Sequence, residues 1–234
     1  MKHQYFGDVN DYVKYGLLRC FSQASLRIGI CWMLTPDDKR PDGRKIQYLS
    51  QPAEWGTHDP SLFNHLSRTI DFPDGRDLRH IEGTAHIQHA KFFRNIVPDS
   101  HVERAIWFTQ MLASLKGSEL VFFDPDNGIE VPSKAIEQKD SSKYIYWKDL
   151  AETWRHAESL LVFQHFPRVK RDKYIHARVE KMQSHLPNSS VIPLRSSNVL
   201  FLLAYRVAGA DRINKAVQLI EERWSSRVWN HHGT

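Results

Sequence analysis

Cysteine is scarce. Among 234 residues there are two, Cys20 and Cys31, with no CxxC spacing and no partner cysteines for a zinc set. Cys20 falls on a helical pattern and Cys31 inside an apolar run, so both are expected as reduced core residues. No run of about 18 apolar residues occurs, which excludes a membrane-spanning helix. The first residues, Met1-Lys2-His3-Gln4-Tyr5-Phe6-Gly7-Asp8, contain no apolar stretch of signal-peptide type, and a cytoplasmic protein is expected. Several catalytic signatures are missing as well. GxGxxG and GxxxxGK[ST] are absent, which removes the dinucleotide fingerprint and the P-loop, and neither HExxH nor GxSxG occurs. The thirteen histidines are scattered; His86 and His89 are expected on one helical face without a third ligand, so no zinc site is expected.

What is present is ordinary in bulk and specific in detail. The apolar fraction is 41% and the charged fraction 25%, as in globular proteins. The length suits one domain over residues 1–234, with a long loop or insertion at about 35–100. A net charge of +5 and a pI near 9.2 lean toward polyanionic partners such as nucleic acid without establishing one.

Residues 9–22 carry Tyr12, Tyr15, Leu18 and Phe21 at helical spacing, with Asn10 or Asp11 as the expected N-cap. Residues 27–34 form a short, nearly continuous apolar run, the pattern of a strand buried on both faces. From Thr35 to Asp59 the composition turns to Pro, Asp, Gly, Lys and Arg, a loop long enough to be functional. Helices are expected over 60–69 and 86–95, with a strand near 78–82 between them. A helix through Phe108, Met111 and Leu115 closes at Gly117. The strongest strand, residues 119–124, follows. After it come a helix over 147–159, a strand over 160–166, a helix over 171–186 and a final helix carrying Ile213, Val217, Ile220 and Trp224. Between the last two helices, Val191 to Leu194 and Asn198 to Arg206 read as an antiparallel hairpin at the sheet edge. The tail 230–234 is expected to fray. Strands alternating with helices imply a doubly wound, Rossmann-like α/β fold, its sheet mostly parallel. Ligands in such folds bind beyond the carboxyl ends of the strands.

Three segments at such positions carry chemistry. In Phe123-Asp124-Pro125-Asp126-Asn127-Gly128 a buried strand ends in a carboxylate. Proline then biases Asp124 toward extended backbone, and Asn127-Gly128 is a turn with a positive-φ position. Two carboxylates framing a proline exceed what a turn needs, although a solvated turn would use the same residue types. In Phe163-Gln164-His165-Phe166-Pro167-Arg168, Gln164 and His165 point to opposite faces of a strand. His165 suits a base, a ligand or a core histidine. Beyond it Arg168, Lys170 and Arg171 suit phosphates or a solvated helix start. In the third segment, residues 5–16, Asp11, Lys14 and Tyr15 share a helical face.

This last stretch, Tyr5-Phe6-Gly7-Asp8-Val9-Asn10-Asp11-Tyr12-Val13-Lys14-Tyr15, resembles the N-terminal motif H-A-G-N-x-A-D-V-x-K-H of the bacterial 23S rRNA adenine-N6 methyltransferase family. Gly7, Asp11 and Lys14 match it, and Tyr15 stands for its histidine. The Asp124-Pro125-Asp126-Asn127 loop resembles that family's Asp-Pro-Pro-Tyr motif, with Asp126-Asn127 in place of Pro-Tyr. The chain also resembles an uncharacterised bacterial family sharing the Asp-Pro-Asp-Asn-Gly and Gln-His-Phe-Pro-Arg motifs. The first resemblance implies a class I methyltransferase fold with S-adenosylmethionine across the strand ends. Gly7, Asp11, Lys14, Tyr15 and Asp37 would lie on the donor side. Asp124 would orient a target amine of a nucleic-acid base, beside Asp126 and His165. Asn127, Gln164, Arg168, Lys170 and Arg171 would meet the substrate. Two other readings stay open. One is a Mg²⁺-dependent nuclease or phosphoesterase built on Asp124, Asp126 and Glu130. The other is a non-catalytic binding protein that keeps the fold. The sequence leaves the oligomeric state open.

Overall fold

The structure is a computed structural model that describes residues 1–38, 42–72, 75–83 and 86–231. In chain order its elements begin with α1 (Val9–Gln23), β1 (Ile28–Cys31), α2 (Pro52–Trp55), α3 (Pro60–Thr69) and β2 (Ala90–Phe93). They continue with α4 (His101–Ser114), β3 (Leu120–Phe123), β4 (Gly128–Ile129), β5 (Tyr144–Ile145) and α5 (Trp147–Trp154). The last are β6 (Ser159–His165), α6 (Arg171–His185), β7 (Ser190–Arg195), β8 (Val199–Tyr205), α7 (Ala210–Trp224) and β9 (Trp229–Asn230).

Seven strands form one sheet in the order β2-β1-β3-β6-β8-β7-β9. The pairs β1–β2, β1–β3 and β3–β6 are parallel, and β8 runs against both β6 and β7. β4 and β5 make a separate two-stranded parallel ladder. The Rossmann-like α/β architecture is therefore present, with the expected C-terminal antiparallel hairpin, β7–β8, added beyond β6. Its second strand, β8, is inserted between β6 and β7, and β9 pairs outside β7.

Register explains why the strands read as unbroken apolar runs. Ile30, Phe122, Leu161 and Leu203 are aligned across β1, β3, β6 and β8, and all belong to one core cluster with α1, α3 and α7. The next row, Cys31, Phe123, Val162 and Leu202, belongs to the second cluster, with Met111 of α4, Leu150 of α5 and Met182 of α6. Helices thus cover both faces, and each fully buried large side chain contributes about 1.5–3 kcal/mol. Both cysteines are free and buried. Among the described residues no helix is long and apolar enough to cross a membrane.

Several expectations need correction. Residues 86–95 are not a helix: a turn leads into the edge strand β2, and His89 has φ of 56°. His86 instead lies against His65, the rings tilted by 31° with centroids 3.8 Å apart. The expected strand near 78–82 is a single 3₁₀ turn, Leu78–His80, capped by Asp77. The N-cap of α1 is Asp8, whose Oδ1 accepts from Asn10 N at 3.0 Å, so Asp11 is free for other work. The helix expected over 147–159 ends at Trp154, and the strand begins at Ser159. At the tail, Asn230 pairs with Leu194, while residues 232–234 lie outside the described residues.

Gly16 tests how α1 meets α7. A Cβ there would lie 2.0 Å from Trp224 Cζ2. Alanine is favoured over glycine inside a helix by about 1 kcal/mol, but overpacking costs about 1–3 kcal/mol or more. Gly16→Ala is therefore expected to lower stability in urea unfolding by roughly 1–2 kcal/mol. A variant at least as stable as the parent would contradict the Gly16–Trp224 contact.

Candidate functional site

The chain leaves β1 toward β2 on one side and returns to β3 on the other, so β1 and β3 bound the switch-point crevice where ligands of open α/β sheets bind. Here that crevice is filled. Met1 is 1% exposed, and its amine donates to the carbonyls of Met33 (3.2 Å) and Asp124 (3.1 Å), just beyond the ends of the two strands. The amine also lies 2.7 Å from Asp126 Oδ1. Thr35 Oγ1 donates to Asp126 Oδ2 at 2.7 Å. Burial alone would raise the Asp126 carboxyl, but the Met1 amine, Thr35 and Lys2 hold it below the usual carboxylate value.

Beside the crevice lies a buried charge cluster. Lys14 Nζ donates to Asp11 Oδ1 at 3.0 Å and to Asp124 Oδ2 at 2.9 Å, and it sits 4.1 Å from the centroid of the Phe163 ring. Tyr15 OH donates to Asp11 Oδ2 at 3.2 Å. Burial would lower the Lys14 ammonium, but the two carboxylates outweigh it and raise it above the usual lysine value. Burial lifts Asp11 to about 7 against the opposing pull of Lys14, with Asp124 and Asp8 adding to the rise. The spacing of Asp11, Lys14 and Tyr15 on one helical face produces this arrangement directly.

An open cavity of about 860 Å³ lies over the carboxyl ends of β3 and β6. That volume suits a nucleotide-sized ligand. Of the expected site residues, Asp11, Lys14, Asp126, Asn127, Gln164 and His165 line it. Asp124 and Tyr15 stand behind Lys14, both buried. The loop beneath is rigidly held: Gln164 Oε1 accepts from Ile129 N at 2.8 Å, and its Nε2 donates to His165 O at 2.8 Å. Gly128 is required there, since its φ is +90° and a Cβ would meet Gln164 at 2.4 Å. Gln164 thus spends its amide on main chain. His165, on the opposite face as expected, is exposed at the end of β6 with its ring edge-on to Phe163 (centroids 4.8 Å apart). Desolvation in the cavity wall, then the Lys14 charge, push its imidazole down to about 4.

The remaining expected residues are elsewhere. Gly7 makes the turn into α1 with φ of +81°, and its carbonyl accepts from Tyr48 OH at 3.1 Å. Asp37 Oδ1 accepts from Gln4 N at 3.2 Å, which ties down the N-terminal segment. Arg168, Lys170 and Arg171 are exposed around a shallow hollow that shares Phe166 and Pro167 with the main cavity. Among the described residues no group of three His, Cys, Asp or Glu side chains is placed to hold a metal ion. Sequence reasoning missed Met1, Thr35, Arg44, Lys45, Tyr174 and Arg178. The last four line the cavity, and only the length of the 35–59 loop hinted at Arg44 and Lys45.

Comparison with protein-family models, with curated proteins and with solved structures finds no match to this chain.

Two outcomes follow from this geometry. Lys14→Met leaves two buried carboxylates without their cation, expected to cost about 3–5 kcal/mol in chemical denaturation near neutral pH. Because the orphaned carboxyls then bind protons more readily in the folded than in the unfolded chain, that deficit shrinks as pH falls from about 8 to about 5. A deficit independent of pH would contradict the ion cluster. Second, an NMR titration of His165 is expected to reach its midpoint below the ordinary histidine value. A midpoint at or above the ordinary value of about 6.5 would refute the desolvated setting.

Proposed function

We propose that the chain is an S-adenosylmethionine-dependent methyltransferase-type protein of the cytoplasm that acts on an amine of a nucleic-acid base. One observation carries this reading. The two segments resembling the rRNA adenine-N6 methyltransferase motifs, 110 residues apart in sequence, meet through the 2.9 Å Lys14–Asp124 contact at the floor of one cavity. The insertion of β8 between β6 and β7 agrees with the methyltransferase-like sheet that the resemblance implies.

The donor set of the cavity fits S-adenosylmethionine. The Tyr5, Phe163 and Phe166 rings suit the adenine, and Arg44 and Lys45 suit the carboxylate. When bound, that group supplies an electrophilic methyl. The protein's own side chains supply orientation and proton handling. Asp124 is 1% exposed with Oδ2 on Lys14, so in this reading it fixes Lys14 rather than touching the acceptor. Asn127 and His165 are exposed polar groups of the cavity lining. His165, unprotonated at neutral pH, accepts the proton that an amine loses on methylation. Support for a nucleic-acid acceptor comes from Arg168, Lys170 and Arg171, whose exposed cations border the cavity and suit phosphates.

Thermal shift with S-adenosylmethionine, S-adenosylhomocysteine and Mg²⁺ is the test. Either adenosyl compound at about 100 times its dissociation constant is expected to add about 2.7 kcal/mol of stability. No response to either would sink the reading. A response to Mg²⁺ alone, abolished by Asp124→Asn, would favour the phosphoesterase alternative.

A further inference from the structure

Arg104, in the first turn of α4, is 3% exposed and uses only part of its hydrogen-bonding capacity. Nη2 donates to Tyr144 O at 2.9 Å and to Asp149 Oδ2 at 3.0 Å. Nε and Nη1 have no partner among the described residues. The guanidinium carbon lies 4.9 Å from the centroid of Tyr146 and 5.9 Å from that of Trp107. Those rings cover the group without offering it an oxygen acceptor. A buried donor left unpaired costs about 1–3 kcal/mol, and more when charged, so such a group points to an acceptor that completes it.

The same guanidinium walls a second hollow of about 370 Å³, remote from the Asp124 loop, together with His101, Phe108, Ile136 and Lys148. Its lining also includes two carboxylates, Asp149 and Glu152, each already paired. Asp149 is already taken by Arg104, and Glu152 is 2.8 Å from Arg155 and 3.4 Å from His156. Lys148, by contrast, is exposed and makes no ion pair among the described residues. His101 and Lys148 lie in the first turns of α4 and α5, where the helix dipoles favour negative charge.

We propose that this hollow is an anion site that takes a phosphate group, with Arg104 and Lys148 as its ligands. Nε and Nη1 are closed to solvent, so the phosphate reaches Arg104 after a rotamer change of the half-buried Phe108 or Ile136. A bound phosphate also braces the main site. Arg104 holds Tyr144 O, β5 pairs with β4, and β4 begins at Gly128 of the Asp124 loop. The site does not depend on the methyltransferase reading.

Inorganic phosphate at constant ionic strength, with chloride as reference, tests it by thermal shift and calorimetric titration. The parent chain is expected to gain thermal stability from phosphate. Arg104→Lys, which keeps a cation for Asp149, and Lys148→Ala, at an exposed position, are each expected to bind it about tenfold more weakly. Should Arg104→Lys fail to fold, Lys148→Ala carries the test. The proposal is overturned if the parent does not respond to phosphate, if acetate stabilises it equally, or if Lys148→Ala binds phosphate as well as the parent does.

Discussion

Lys14, held between Asp11 and Asp124, is the contact on which the rest of the site depends. Taking three charges out of water costs several kcal/mol per ion, so the cluster persists only because each member is hydrogen-bonded within it. Burial moves Asp11 up to about 7 against the pull of Lys14, and the neighbouring Asp124 carboxylate adds to the rise. The cluster also fixes geometry. It joins the middle of α1 to the end of β3, orients Tyr15 through Asp11, and lays the ammonium on the Phe163 ring of β6. These contacts tie α1 to the ends of the adjacent, paired strands β3 and β6.

The second acid of the loop has a different task. Asp126 stands where the resembling family has a proline, a substitution that the sequence alone does not explain. In the fold its carboxylate receives the Met1 amine on one oxygen and the Thr35 hydroxyl on the other. It therefore ties the N-terminal segment and the stretch after β1 to the Asp124 loop. Gln164 and the β4–β5 ladder hold the far side of the same loop. Both carboxylates face inward onto fixed cations, and the loop is a rigid floor rather than a mobile flap.

What the sequence disclosed follows from how local each signal is. β1, β3 and β6 were legible because a strand buried on both faces must be apolar at every position. β2 was not, because Ala90-Lys91-Phe92-Phe93 is a short edge strand with Lys91 in solvent. Leu78 and Ile81, both buried, belong to a 3₁₀ turn whose spacing imitates a strand. The inward return of β8 is a matter of long-range pairing that hairpin signals do not encode. At the site, the Lys14 face and the Asp124 loop were legible because strand ends and helical spacing locate them. Met1, Arg44, Lys45 and Arg178 were not, since they join the site through tertiary packing alone.

The position of the cavity bears on the missing glycine-rich turn. Such a turn is needed where main chain must approach a ligand at the end of the first strand. Here Met33, Leu34 and Thr35, the residues just after β1, are buried and engaged with other parts of the chain. Thr35 N donates to Met1 O at 2.9 Å, Leu34 bridges to Ile96, and Thr35 Oγ1 reaches Asp126. Met1 fills the crevice between β1 and β3, and open space begins one strand further along, over β3 and β6. A ligand in that space meets α1, the 42–45 loop, the end of β6 and α6 instead of the turn after β1. The strand end that such a turn would serve has a different partner, Met1, and the open space is lined instead by Lys14, the Phe163–Pro167 segment and Arg178.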